Sequence, residues 1–136
     1  MFIARASRHD KADVKDLLEQ HGLKDPDLSG GTTLIAREGV VAGCVRLIEV
    51  EPNKVVVDDF LVKEDRRGQG IGKGLMQAAM NNKGGTLYLA TPVEYESFFE
   101  GFGFTEVAVG DLPESVRSYF DGAALPEGDI RYLTAR

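Results

Sequence analysis

Three glycines and three cations share one short stretch, Arg66-Arg67-Gly68-Gln69-Gly70-Ile71-Gly72-Lys73. A β-branched run, Val55 to Val62, leads into it, and an amphipathic pattern from Ile71 to about Asn82 leads out. Glycine lets a backbone take positive φ and come close to a ligand. Amides exposed at a helix N-terminus, on the positive end of the dipole, favour phosphate. The pattern predicts a strand–loop–helix anion site, suited to a diphosphate. Two common diphosphate motifs do not fit. A P-loop needs glycine five residues before the Gly72-Lys73 pair and a Ser or Thr after it, where this chain has Arg67 and Gly74. The dinucleotide fingerprint fails as well, because Gly68-x-Gly70 runs on to Lys73 and Gly70-x-Gly72 to Leu75, where glycine is required. What remains is Arg67-x-x-Gly70-x-Gly72.

Asp58 and Asp59 stand side by side in the apolar run before this loop. Strands tolerate Asp poorly, so the pair asks for a reason: a hydrogen-bonded edge or a functional acid. Successive strand residues face opposite sides, so one of the two carboxylates points toward a cleft whichever way the strand is turned. Cys44 lies in another apolar run and reads as core rather than nucleophile. His9 and His21 flank the first helix without metal-ligand spacing, and no metal site is expected.

The elements that hold these groups follow from periodicity. Phe2–Ala6 reads as a first strand. Ser7 and Asp10 form a capping-box pattern before a helix whose apolar stripe is Val14, Leu17 and Leu18, and Gly22 ends it. Asp25-Pro26-Asp27 and Ser29-Gly30-Gly31 make a loop. Strands follow at 32–37, 40–50 and 55–62, separated by turns at Glu38-Gly39 and Pro52-Asn53. Beyond the second helix, 86–90 is a fifth strand. Thr91-Pro92-Val93-Glu94 reads as a helix start, with the helix running to Gly101. A sixth strand spans 104–109, a helix runs from Asp111 to about Asp121, and 130–135 closes the chain. The order βαβββαβαβαβ, with hairpins in the middle and one strand–helix–strand crossover, predicts a mixed, mostly antiparallel, twisted sheet of six to seven strands with helices on both faces.

Composition narrows the function. The chain has 136 residues, 43% hydrophobic and 28% charged, which suits one soluble domain spanning 1–136. The net charge of −6 shows no basic face for nucleic acid and weakly favours a cationic substrate. No signal peptide or long apolar run is seen, and a single cysteine fits a reducing cytoplasm. A monomer or a homodimer is expected.

At its strand-to-helix junction, Arg67-x-x-Gly70-x-Gly72 resembles the coenzyme A signature of the GNAT N-acetyltransferases, (Arg/Gln)-x-x-Gly-x-(Gly/Ala). The likeness extends outward from Val62 through Met76. It implies acetyl-CoA as co-substrate, with its pyrophosphate on the segment Arg67, Gly68, Gln69, Gly70, Ile71, Gly72 and Lys73. It implies that the pantetheine arm pairs with Phe60, Leu61 and Val62, and that an amide near Leu61 stabilises the oxyanion. Asp58-Asp59-Phe60-Leu61-Val62 is similar to the acidic segment of spermidine/spermine-type acetyltransferases, whose first acid is the proposed base, here Asp58. Most GNAT domains carry a second helix before the second strand; only Leu23–Gly31 fills that gap here, leaving one wall of the substrate site short.

The run Phe98-Phe99-Glu100-Gly101-Phe102-Gly103-Phe104 resembles the family's late motif, with a departure. Its tyrosine, the usual general acid, is Phe99 here, which cannot donate a proton. Tyr95, four residues earlier on the same predicted helical face, is a substitute or a core aromatic. Phe at this place also occurs in N-acetylglutamate-synthase-like and arsenic-resistance-type branches, which the Leu112–Arg117 segment resembles. That would give an amino acid substrate, with Arg46 or Arg117 as carboxylate anchors or as solvated cations. The reading is an N-acetyltransferase acting on a small primary amine. The alternatives are an acyl-CoA-binding module without turnover and a protein-lysine acetyltransferase.

Overall fold

The computed structural model describes residues 2–23, 28–82 and 84–136. Its strands are β1 (Phe2–Arg5), β2 (Thr32–Glu38), β3 (Val40–Glu51), β4 (Lys54–Val62), β5 (Thr86–Pro92), β6 (Thr105–Glu106) and β7 (Ile130–Ala135). Its helices are α1 (Asp10–Gln20), α2 (Ile71–Asn82), α3 (Glu96–Glu100) and α4 (Glu114–Asp121). The strands form one seven-stranded sheet in the order β1-β2-β3-β4-β5-β7-β6. Pairing is antiparallel for β1–β2, β2–β3, β5–β7 and β6–β7. The parallel pair is β4–β5, with Lys54 opposite Thr86, Val55 opposite Leu87 and Val56 opposite Tyr88. The mixed, mostly antiparallel sheet expected from the element order is present.

The chain divides into two compact units. The first holds the chain up to Ile48 and from Val57 through α2; the second holds Glu49–Val56 and Gly84–Arg136.

In the first unit the capping box forms as expected. Asp10 accepts the Ser7 N–H at 2.8 Å, and the Asp10 N–H donates back to Ser7 Oγ at 3.3 Å. These bonds from Ser7 hold the Asp10 carboxyl below its usual range. Val14, Leu17 and Leu18 of α1 are buried against Ile35 and Cys44, which face each other across β2 and β3. The next pair, Ala36 and Gly43, turns to the opposite face. There a Cβ on Gly43 would lie 2.9 Å from Leu75 Cδ1 and 3.2 Å from Ile71 Cγ2. Glycine at 43 therefore lets α2 lie close against β3, and α1 and α2 cover opposite faces of the β2–β3 ribbon. Each fully buried side chain such as Leu18, Leu75 or Met76 stabilises this packing by about 1.5–3 kcal/mol.

The second unit has its own core of Val56, Tyr88, Leu112, Val116 and Phe120. Here the sequence expectations need correcting. Thr91 and Pro92 do not open a helix. They stay in β5, where Thr91 pairs with Arg131 and Pro92 with Ile130, and the Thr91 hydroxyl donates to the Pro92 carbonyl instead of capping. Strand pairing with β7 overrides the local helix-start signal. A 3-10 turn, Val93–Tyr95, follows, and α3 is only five residues long. β6 is two residues, not six, because the chain turns off into a second 3-10 turn at Val109–Asp111. The Asp25-Pro26-Asp27 loop lies outside the described residues.

Candidate functional site

The glycine loop has the expected shape. A 3-10 turn, Glu64–Arg66, leaves β4, and α2 begins at Ile71. Gly68 and Gly70 sit at φ +80° and +83°, where a β-carbon would be strained, and a Cβ built on either meets nothing within 4 Å. The residues from Arg67 to Gly70 are exposed. The Gly74 N–H bonds to the Gly70 carbonyl at 3.0 Å, so the helical ladder is under way from there. The amides of Ile71, Gly72 and Lys73 precede that bond and are the ones a helix leaves for an outside acceptor. No acidic residue occupies the first turn of α2. Arg67 does not reach outward with its whole guanidinium: its Nε donates to the Val62 carbonyl at 3.1 Å and staples the loop to the end of β4. This cradle fits a diphosphate through backbone amides rather than through a lysine–hydroxyl pair.

Just upstream, β4 departs from regular pleating. Asp59 has φ +50°, a left-handed backbone unusual for any residue but glycine, though one that Asp and Asn tolerate best. Its N–H bonds to the Asp58 carboxylate at 2.7 Å, and its carbonyl accepts the Cys44 thiol at 3.3 Å. The left-handed residue breaks the two-residue alternation at this point, so the expectation that Asp58 and Asp59 take strictly opposite faces does not apply. Asp59 Oδ2 lies 3.0 Å from Arg46 Nε, and the two side chains are only 11% and 13% exposed. Burial first, then the neighbouring Asp58 charge, push the Asp59 carboxyl up to about 6, with Arg46 pulling the other way. Arg46 is therefore no solvated cation.

Cys44 is fully buried, as its apolar run predicted, and burial pushes its thiol up to about 12. The Leu61 amide hydrogen-bonds toward that sulfur, and the Lys63 N–H donates to the Ala42 carbonyl at 2.7 Å. Leu61 and Lys63 thus turn their amides toward β3, and by strand alternation Val62, between them, turns its own away.

The first unit brings together Asp58, Asp59, Phe60, Leu61, Val62 and the segment Arg67–Lys73. Tyr95 and Phe99 belong to the second. Phe99 is buried, edge-on to Phe104 at 6.1 Å and to Phe98 at 5.1 Å. Tyr95 is 55% exposed, so it is not a core aromatic. It ends the 3-10 turn rather than lying on α3, so the shared helical face with Phe99 is absent. Arg117 donates to the carbonyls of Gly110 and Leu112 and braces the entry to α4. Sequence reasoning missed the Arg46–Asp59 pair. A positively charged residue two positions from Cys44, inside the otherwise apolar stretch from Val40 to Ile48, was the available signal.

The GNAT acetyltransferase domain model matches residues 29–106, more than half of the chain. The chain belongs to the GNAT acetyltransferase family. It is accordingly an N-acetyltransferase, with acetyl-CoA as co-substrate. The solved GNAT structures it resembles share the fold at low sequence identity. A GNAT-family acetyltransferase from Staphylococcus aureus is 20% identical, with a TM-score of 0.70 over 98% of this chain and 96% of that one. Rv2747 from Mycobacterium tuberculosis, in complex with CoA and NLQ, is 18% identical, with a TM-score of 0.72 over 98% of both chains. N-acetylglutamate synthase from Neisseria gonorrhoeae, complexed with coenzyme A and L-arginine, is 18% identical with a TM-score of 0.77. In that case 99% of this GNAT chain covers only 32% of the other. No curated protein matches by sequence. No described helix is long and apolar enough to cross a membrane.

Proposed function

We propose that this acetyltransferase moves the acetyl group to the primary amine of a small molecule, by direct attack of the amine on the thioester. The observation that carries the reading is the carboxylate pair on the distorted segment of β4, with Asp59 largely withdrawn from water and its carboxyl pushed up to about 6. An alkyl ammonium cannot attack a thioester, and a base serves best with a pKa near the working pH. Asp59 takes the proton, directly or through one water. Asp58 accepts the Asp59 N–H, holds the distortion and adds the negative charge that raises its neighbour. Bound acetyl-CoA supplies the acyl group and the leaving thiolate. The amides of Gly68 to Lys73 hold its diphosphate, with Arg67 fixing the loop. Phe60, Leu61 and Val62 offer backbone to its arm. Since the Leu61 amide is turned to Cys44, the oxyanion donor falls to its neighbour Val62.

Among amines, the structure favours one without a carboxylate to anchor. Arg46 spends its charge on Asp59, and Arg117 binds backbone carbonyls. The net charge of −6 points the same way. Incubating the protein with acetyl-CoA and a panel of polyamines, amino acids and lysine peptides, and following products by mass spectrometry, tests this. Acetylated polyamines or simple amines are expected. Products confined to amino acids or to peptides would sink the substrate assignment. No product with any amine, with coenzyme A still bound, would favour a sensing module, the reading that Phe99, which cannot donate a proton, supports.

Loss of the family's tyrosine leaves the leaving thiolate to Tyr95 or to water. Tyr95 is exposed, and a thiolate leaves without much help. If Tyr95 gives the proton, Tyr95→Phe should lower kcat by about tenfold with KM unchanged. An unchanged kcat assigns the step to water.

A further inference from the structure

We infer that Arg46 is a positioning residue for the amine-activating carboxylate, and that it ties that carboxylate to the loop before β2. The inference rests on Asp59 acting as the base. Arg46 leaves β3 on the same face as Cys44, two residues away, which is the face that α1 covers. Among the contacts of its guanidinium, two reach different segments. Nε lies 3.0 Å from Asp59 Oδ2, and Nη1 donates to the Gly30 carbonyl at 3.3 Å. One planar, rigid group thus spans from the left-handed residue of β4 to the loop that enters β2. A lysine, with a single flexible ammonium, cannot hold both in one orientation.

The placement has two consequences. The first is geometric. The guanidinium sits against Asp59 Oδ2, so the ion pair restrains the carboxylate on that side. The second is electrostatic. Among the described residues, the charged or titratable groups against Asp59 are Asp58 on its own strand, with Arg46 and the protonated Cys44 on β3. Asp58 opposes ionisation and Arg46 favours it, so Arg46 keeps the carboxylate ionised at neutral pH despite its burial. A buried pair of this kind adds little net stability, because desolvation offsets much of the attraction. Its consequence lies in what it does to the base.

The test is the pH dependence of kcat/KM for the wild type, Arg46→Gln, Arg46→Lys and Asp59→Asn. In the wild type, kcat/KM should fall as pH drops through about 6, where Asp59 takes up its proton. In Arg46→Gln the acid limb should move to higher pH by about one unit. The rate at pH 7 should then drop more than the rate at pH 9. Arg46→Lys should return the limb most of the way, because the charge is kept, and leave the plateau low, because the fork is not. A limb unmoved in Arg46→Gln, with a uniformly lower rate, would overturn the positioning role while leaving the base in place. An acid limb that survives in Asp59→Asn at near wild-type rate would instead overturn the base. Circular dichroism melts of each variant separate both results from failure to fold.

Discussion

Asp59→Asn should lower kcat/KM by about a hundredfold, within the range for a lost acid–base group. The substitution is well matched to its site. Asn has the same size and is among the few residues that accept a backbone at φ +50°. What disappears is the basic oxygen and its charge. Coenzyme A affinity should hold, since the thioester does not need that charge. Raising the pH should partly restore the rate, because more of the amine is then neutral unaided. Asp58→Asn should cost less. Its side-chain oxygen still accepts the Asp59 N–H, and only its charge on the neighbour is lost. Without that charge the Asp59 carboxyl should fall toward its ordinary range, and the acid limb of kcat/KM should move to lower pH. Steady-state kinetics against pH checks both. If Asp58→Asn is crippled while Asp59→Asn is silent, the roles are reversed. If both are silent, the proton leaves through water or backbone carbonyls.

The second large effect is expected at the glycine loop. Gly70→Asp should weaken coenzyme A by at least tenfold more than Gly70→Asn, a difference of about 1.4 kcal/mol or more. Both side chains meet the same positive φ and the same open space, so backbone strain cancels between them. The remaining difference is one negative charge beside the diphosphate and the amides that hold it. Calorimetry of the two variants reads the gap directly, and equal affinities would remove the diphosphate from this loop.

Much of this molecule is legible where one local rule governs. The reciprocal bonds of Ser7 and Asp10 involve residues three apart, and both were expected. Ile71–Asn82 and Ile130–Ala135 begin and end where periodicity placed them, because an amphipathic helix after a glycine loop and a final β-rich run face no competing signal. Thr91-Pro92 was misread for the opposite reason. A good local helix start competes with pairing to Arg131 and Ile130, some forty residues on, and the distant partner wins. Tyr95 followed from the same misreading. The glycine loop of the site was visible because its chemistry is carried by spacing. The left-handed turn of backbone at Asp59 was not, since positive φ at an aspartate leaves no mark in composition or period. Arg46 was noticed as a cation, but its partner thirteen residues away is set by the β3–β4 pairing and not by any motif.

The burial of Cys44 also decides how this enzyme can be assayed. It is the chain's one thiol, it is fully enclosed, and it holds its proton far above neutral pH. A disulfide dye reacts with thiolates that it can reach, and this sulfur offers neither the charge nor the access. Every equivalent of colour that appears when the folded protein turns over therefore comes from liberated coenzyme A. Slow colour without an amine would report either hydrolysis of the thioester or opening of the β3–β4 core, and a blank lacking acetyl-CoA tells the two apart.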